Sequence, residues 1–97
     1  MNTDLIIVTE YCRTTNTEPS FIYLLEEVGL IEINIIDDEK YFRPEQLPEL
    51  ERYSRLYYDL SVNIEGIDVI RHLLDRMENM RKEITDLKSK LKIYFSD

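Results

Sequence analysis

One cysteine, one histidine and two glycines are all that this 97-residue chain has of the residues on which most enzyme and cofactor sites are built. Cys12 alone cannot form an internal disulfide, and one thiol is too few for a cysteine-ligated metal sensor. It falls in an expected short helix with no base beside it, so it reads as a buried core residue and not as a nucleophile. His72 stands alone and lacks a partner for acid–base work. Gly29 and Gly66 are isolated, which rules out a glycine-rich phosphate cradle. The acidic run Asp37, Asp38, Glu39 lacks the spaced oxygen donors and the glycine of a calcium loop. No enzyme, no cofactor and no metal is therefore expected. Long apolar runs are missing too. Leu5–Val8 is far shorter than the roughly 18 residues needed to cross a bilayer, and the N-terminus has no basic leader, so the cytoplasm is the expected compartment.

Positive charge is also scarce. Twelve Lys and Arg face twenty Asp and Glu, a net charge of −8, and such a chain repels a polyanionic duplex overall. The imbalance is uneven: residues 1–69 hold 15 acids and 5 bases, whereas residues 70–97 hold 5 acids and 7 bases. The first part is the acidic one.

What is present is a string of short elements. Leu5–Val8 is β-branched and suits a strand. Thr9 is placed to cap a short helix through TEYCRTTN, with Asn16 supplying the turn. A second helix follows, capped by Thr17 or Glu18, with Pro19 in its first turn and Phe21, Leu24, Leu25 and Val28 at helical spacing. Gly29 ends it, and Leu30 can fold back on the last turn. Two short helices with a tight turn form a helix-turn-helix. Ile31, Ile33 and Ile35 then alternate with Glu32 and Asn34, and the acidic run precedes Tyr41 and Phe42, which predicts a β-hairpin wing. Pro44 opens a third helix running to about Leu60, with Pro48 in its first turn and Leu47, Leu50, Tyr53, Leu56 or Tyr57, and Leu60 on one face. Ser61 or Asn63 caps a fourth helix that reaches about Tyr94.

That last helix carries the sharpest periodicity. Ile70, Leu73, Met77, Met80, Ile84, Leu87, Leu91 and Tyr94 are spaced 3, 4, 3, 4, 3, 4, 3, an unbroken a/d heptad seam. It predicts a dimeric coiled coil, the alternative being an amphipathic helix folded back on its own head. Arg76, Arg81, Glu83, Lys88 and Lys90 fall at e and g positions, where a parallel pair would gather like charges, so an antiparallel pair fits better.

This layout resembles the MerR-type regulators: mainly α, with a winged helix-turn-helix head, a small β-hairpin wing and a long C-terminal coiled-coil helix. The head is expected over 1–66 and the dimerisation helix over 67–97, both within a single domain. TEYC at 9–12, GLIE at 29–32, YF at 41–42 and RLYYDLSVNIEGI at 55–67 together are similar to the CbpM-type chaperone modulators, over nearly the whole chain. The resemblance implies a non-enzymatic homodimer that binds the J-domain of a curved-DNA-binding-protein-A type co-chaperone and inhibits its stimulation of Hsp70. The candidate partner-binding residues are Glu26, Glu27, Glu32, Asp37, Asp38, Glu39, Tyr57, Tyr58 and Asp59. For the acids the plainer reading is solvated surface, and one of the tyrosines is expected to pack in the core.

The alternative is a MerR-family DNA-binding transcriptional regulator. A MerR-type recognition helix usually reads Arg-aromatic-Tyr-Glu before its Gly-Leu, and the equivalent run here is Tyr23, Leu24, Leu25, Glu26. The arginine is absent, and the wing sets Glu32, Asp37, Asp38 and Glu39 against Lys40 and Arg43. The helix-turn-helix is thus expected to recognise protein, not a duplex.

Overall fold

A computed structural model describes residues 4–95; the outermost residues of the two expected segments, 1–3 and 96–97, lie outside them. The order is β1 (Ile6–Ile7), α1 (Val8–Thr15), α2 (Pro19–Glu27), β2 (Asn34–Ile36), β3 (Glu39–Phe42), a 3-10 turn at Pro44–Gln46, α3 (Leu47–Ser54), a π-helical turn at Arg55–Asp59, and α4 (Ile64–Phe95). The chain forms two units, Met1–Ile67 and Asp68–Asp97. This is a winged helix-turn-helix head with a small sheet and a long C-terminal helix.

In the head, β3 is the central strand of an antiparallel sheet ordered β1-β3-β2, with Ile6 opposite Phe42 and Ile7 opposite Tyr41. That pairing corrects the expected start of α1. Ile7, held extended against Tyr41, is the boundary residue, so the helix begins at Val8 and Thr9 lies inside its first turn, with no side-chain cap. The sheet, and not local capping, sets the boundary. Asn16 takes the left-handed conformation at φ 58° that ends α1.

Pro19 opens α2 directly after Glu18, whose side chain makes no cap bond. At the other end Gly29 has φ +84°, its amide donates to the Glu26 carbonyl at 3.0 Å, and the Leu30 amide donates to the Leu25 carbonyl at 2.9 Å. These are the two bonds of a Schellman cap, and Leu30 folds back into the core as such caps prefer.

The wing is shorter than the isoleucine alternation suggests. Ile31 is buried and Ile33 half-buried, but Ile35 is 66% exposed, and strand pairing starts only at Asn34. Glu32 is paired by a side chain instead of a strand: its amide donates to Gln46 Oε1 at 2.7 Å, and Gln46 Nε2 donates to the Glu32 carbonyl at 3.0 Å. A carboxamide offers the same donor and acceptor as a peptide group and so satisfies both. Asp37 and Asp38, at φ 51° and 66°, form the two-residue hairpin turn.

The expected third helix is three pieces. Pro48 has no amide to give and its ring crowds the carbonyl four residues back, so α-helix cannot run through from Pro44, and α3 restarts at Leu47. The π-helical turn then inserts an extra residue per turn, with Leu60 N–H bonded to the Arg55 carbonyl at 3.1 Å. It carries Leu60 off the common face, to 65% exposure. Asn63, not Ser61, caps α4: its Oδ1 accepts the Gly66 amide at 2.8 Å.

Val8, Phe21, Ile22, Leu25, Phe42, Leu50 and Ile67 are sealed in the head core, each contributing about 1.5–3 kcal/mol by leaving water. Cys12 joins them as a buried free thiol, and burial raises its pKa.

Candidate functional site

The π-helical turn turns two neighbouring rings toward one partner. Tyr57 stacks on Phe21 at 4.5 Å between centroids, and Tyr58 meets the same ring edge-on at 5.3 Å. Tyr57 is half-buried and acts in packing, which removes it from the exposed candidates. Tyr58 stays partly exposed, and its hydroxyl accepts the Glu18 amide at 3.1 Å, tying the π-helical turn to the entrance of α2.

Beside Tyr58 lies a pocket of about 440 Å³ open to solvent, lined by the end of α1, the turn into α2 and the α3 segment. Tyr11, Glu51, Ser54, Arg55, Tyr58 and Asp59 supply its chemistry. Thr15 Oγ1 donates to the Tyr11 carbonyl at 2.7 Å and meets the buried Thr17 hydroxyl at 2.8 Å, which fixes the α1 side of the wall. Burial above all raises the Tyr11 pKa, and the Glu51 carboxylate adds to the rise. Ser54 Oγ has under 1 Å² exposed and lies beside the Tyr11 side chain, where it acts against the rise in that group's pKa.

The remaining acidic candidates lie elsewhere. Glu26 and Glu32 line a second pocket of about 400 Å³, also open to solvent, with Gly29, Ile31, Ile33 and Asn34. Asp37 and Asp38 are exposed at the hairpin tip, Glu27 is exposed on α2, and Glu39 is half-buried in β3. So the structure joins Tyr58 and Asp59 in one pocket and leaves the other acids apart from it. Sequence reasoning missed Tyr11, Glu51, Ser54 and Arg55. Two of these sit in the quoted tags TEYC and RLYYD, but only folding brings the tags together; nothing in the sequence marks Glu51 or Ser54.

In the second unit, the seam from Leu73 to Tyr94 is exposed, from 49% at Met80 to 81% at Tyr94, and Ile70 is half-buried. Among the described residues no helix is long and apolar enough to cross a membrane, and no group of three or more His, Cys, Asp or Glu is placed to hold a metal ion.

Compared with known families, residues 6–89 match the MerR HTH family regulatory protein. The chain belongs to the MerR helix-turn-helix family. Searches of curated proteins and of solved structures return no match. In this MerR-family head, α2 is the second helix of the helix-turn-helix, the one that enters the major groove in DNA-binding members of such folds. Its sequence, PSFIYLLEE, holds no base. The three cations of α1 and the wing are each engaged within the chain: Arg13 with Glu10, Arg43 with Glu32 at 3.2 Å, and Lys40 over the Tyr23 ring at 4.2 Å.

Proposed function

We propose that this MerR-family chain is a non-enzymatic chaperone modulator of the CbpM type, which binds the J-domain of a curved-DNA-binding-protein-A type co-chaperone and inhibits its stimulation of Hsp70. One observation carries the reading: the helix that would meet a duplex displays Glu26 and Glu27 and no base, while Arg13, Lys40 and Arg43 already have partners. Phosphate binding depends on free Lys and Arg that displace counterions. A J-domain meets Hsp70 through a basic helix, and an acidic head complements such a helix in encounter and specificity. The sequence tags described above support the same partner.

Dimerisation belongs to this proposal. The seam from Ile70 to Tyr94 is a heptad repeat exposed over most of its length in the single chain, and an antiparallel second copy would cover it while separating the like charges at e and g.

The family itself favours a second reading, a DNA-binding regulator, and one pair of titrations separates the two. The full chain is expected to bind a J-domain at micromolar concentration and to ignore duplex DNA at moderate salt. Duplex binding with a steep negative dependence on salt overturns the proposal in favour of the regulator.

A further inference from the structure

The pocket at the helix-turn-helix turn contains a specific chemistry that the acidic surface at large does not. Its volume, about 440 Å³, is within the range of roughly 300–1,000 Å³ usual for ligand sites. Two carboxylates, Glu51 and Asp59, outnumber its one cation, Arg55, which makes no ion pair among the described residues. Two phenols, Tyr11 from α1 and Tyr58 from the π-helical turn, line the same pocket, and aromatic rings beside carboxylates suit a cation that is both paired and stacked. An anion would meet two negative charges here, and an apolar group would answer neither carboxylate.

We infer that this pocket is the anchor for one cationic side chain, arginine or lysine, presented by a partner protein. The inference rests on the chaperone-modulator reading for its partner, whose basic helix would supply the side chain, but the pocket chemistry stands on its own residues. Anchors of this kind, inserted into a recess with partial desolvation, carry a large share of the binding energy of an interface. The wider acidic surface then governs approach, and the pocket governs retention.

The test uses the full chain, isotopically labelled, titrated by NMR with N-acetyl-arginine amide and with the neutral N-acetyl-norleucine amide. The arginine probe is expected to give saturable shifts confined to the amides of Tyr11, Thr15, Asn16, Thr17 and their neighbours around Ser54, and the norleucine probe none. Glu51→Gln with Asp59→Asn should abolish saturation, whereas Glu45→Gln with Glu65→Gln, an equal change of charge at exposed positions elsewhere, should preserve it. Shifts that rise linearly and spread to Asp37 and Asp38 overturn the inference, since the probe then acts as a counterion. Against a J-domain, Glu51→Gln with Asp59→Asn should weaken affinity about ten-fold, chiefly through faster dissociation. Tight J-domain binding that this variant leaves unchanged sinks the anchor and spares the chaperone reading. No J-domain binding alongside saturable arginine binding does the reverse, leaving the pocket to another basic partner.

Discussion

Val8, Phe21, Ile22, Leu25 and Leu50 in the head are sealed from solvent, whereas Leu73, Met77, Met80, Ile84, Leu87 and Leu91 in the Asp68–Asp97 unit stand about half exposed. Both sets are apolar residues set at helical spacing within their own elements. The head's are drawn from three helices, α1, α2 and α3, that close on one another; the helix's lie on a single face of one element. A periodic apolar stripe therefore says that something will cover it, and only the neighbouring elements say whether the chain does so itself.

The sharpest way to break this contrast is to place charge in the seam. Met80→Asp with Ile84→Asp puts two carboxylates at its middle, each costing on the order of several kcal/mol where a partner helix desolvates it. The expected outcome is a dimer that becomes a monomer by light scattering while the head keeps its thermal transition. Wild type running as a monomer of 11.7 kDa at tens of micromolar would remove the dimer from the proposal, and the double substitution would then change nothing.

Truncation in the core tests the other side. Leu25→Ala in the head should cost about 2–5 kcal/mol, because it empties a fully buried site. Leu87→Ala should cost a monomer little and a dimer more, so its effect in denaturant should grow with protein concentration and that of Leu25→Ala should not. Equal, concentration-independent losses would erase the distinction between the two units.

The same contrast governs what was legible beforehand. Helix existence, the Gly29 stop, the wing and the seam follow from spacing and turn chemistry, which are local. The failures are non-local. Thr9 loses its capping role because Ile7 is held by Tyr41, on another strand. Ile33 forms no strand because Gln46 takes the backbone of Glu32. Leu60 leaves the core face because the π-helical turn shifts the phase of everything after Arg55. The pocket was half legible: Tyr58 and Asp59 could be named, but Tyr11 and Glu51 join them only through the packing of α1 beside α3.

A smaller effect concerns the exposed acids of α2. Glu26→Lys with Glu27→Lys should slow association with the J-domain, on the order of ten-fold at low salt, and barely alter dissociation, because exposed charges steer encounter more than they hold a complex. Stopped-flow rates at two salt concentrations check it. An unchanged association rate would make both glutamates plain solvated surface and shift the recognition entirely to other parts of the head.

The smallest effect is a difference in pH response between the two units. In the head, burial raises the pKa of Cys12 above its ordinary 9.0 and that of Tyr11 above its ordinary 10.0. Folding then favours the protonated groups, so their contribution is whole below the unfolded values and is lost as pH climbs through the folded ones. On α4 the sign is opposite. Arg81, hydrogen-bonded to Glu78 through Nε at 3.2 Å, holds that carboxyl below its ordinary 4.5. That contribution is whole above the unfolded value and fades as pH falls through the folded one, and since Glu78 is exposed it is slight and screened by salt. The head should therefore melt earlier as pH rises past about 9, and Cys12→Ala with Tyr11→Phe should flatten that limb, the phenylalanine keeping the ring contact with Phe42. Glu78→Gln should leave the alkaline limb alone and reduce only the loss of helicity in acid. Thermal melts at pH 3, 7 and 10 decide it: an alkaline limb that survives the double substitution would show that groups other than these two set the head's response.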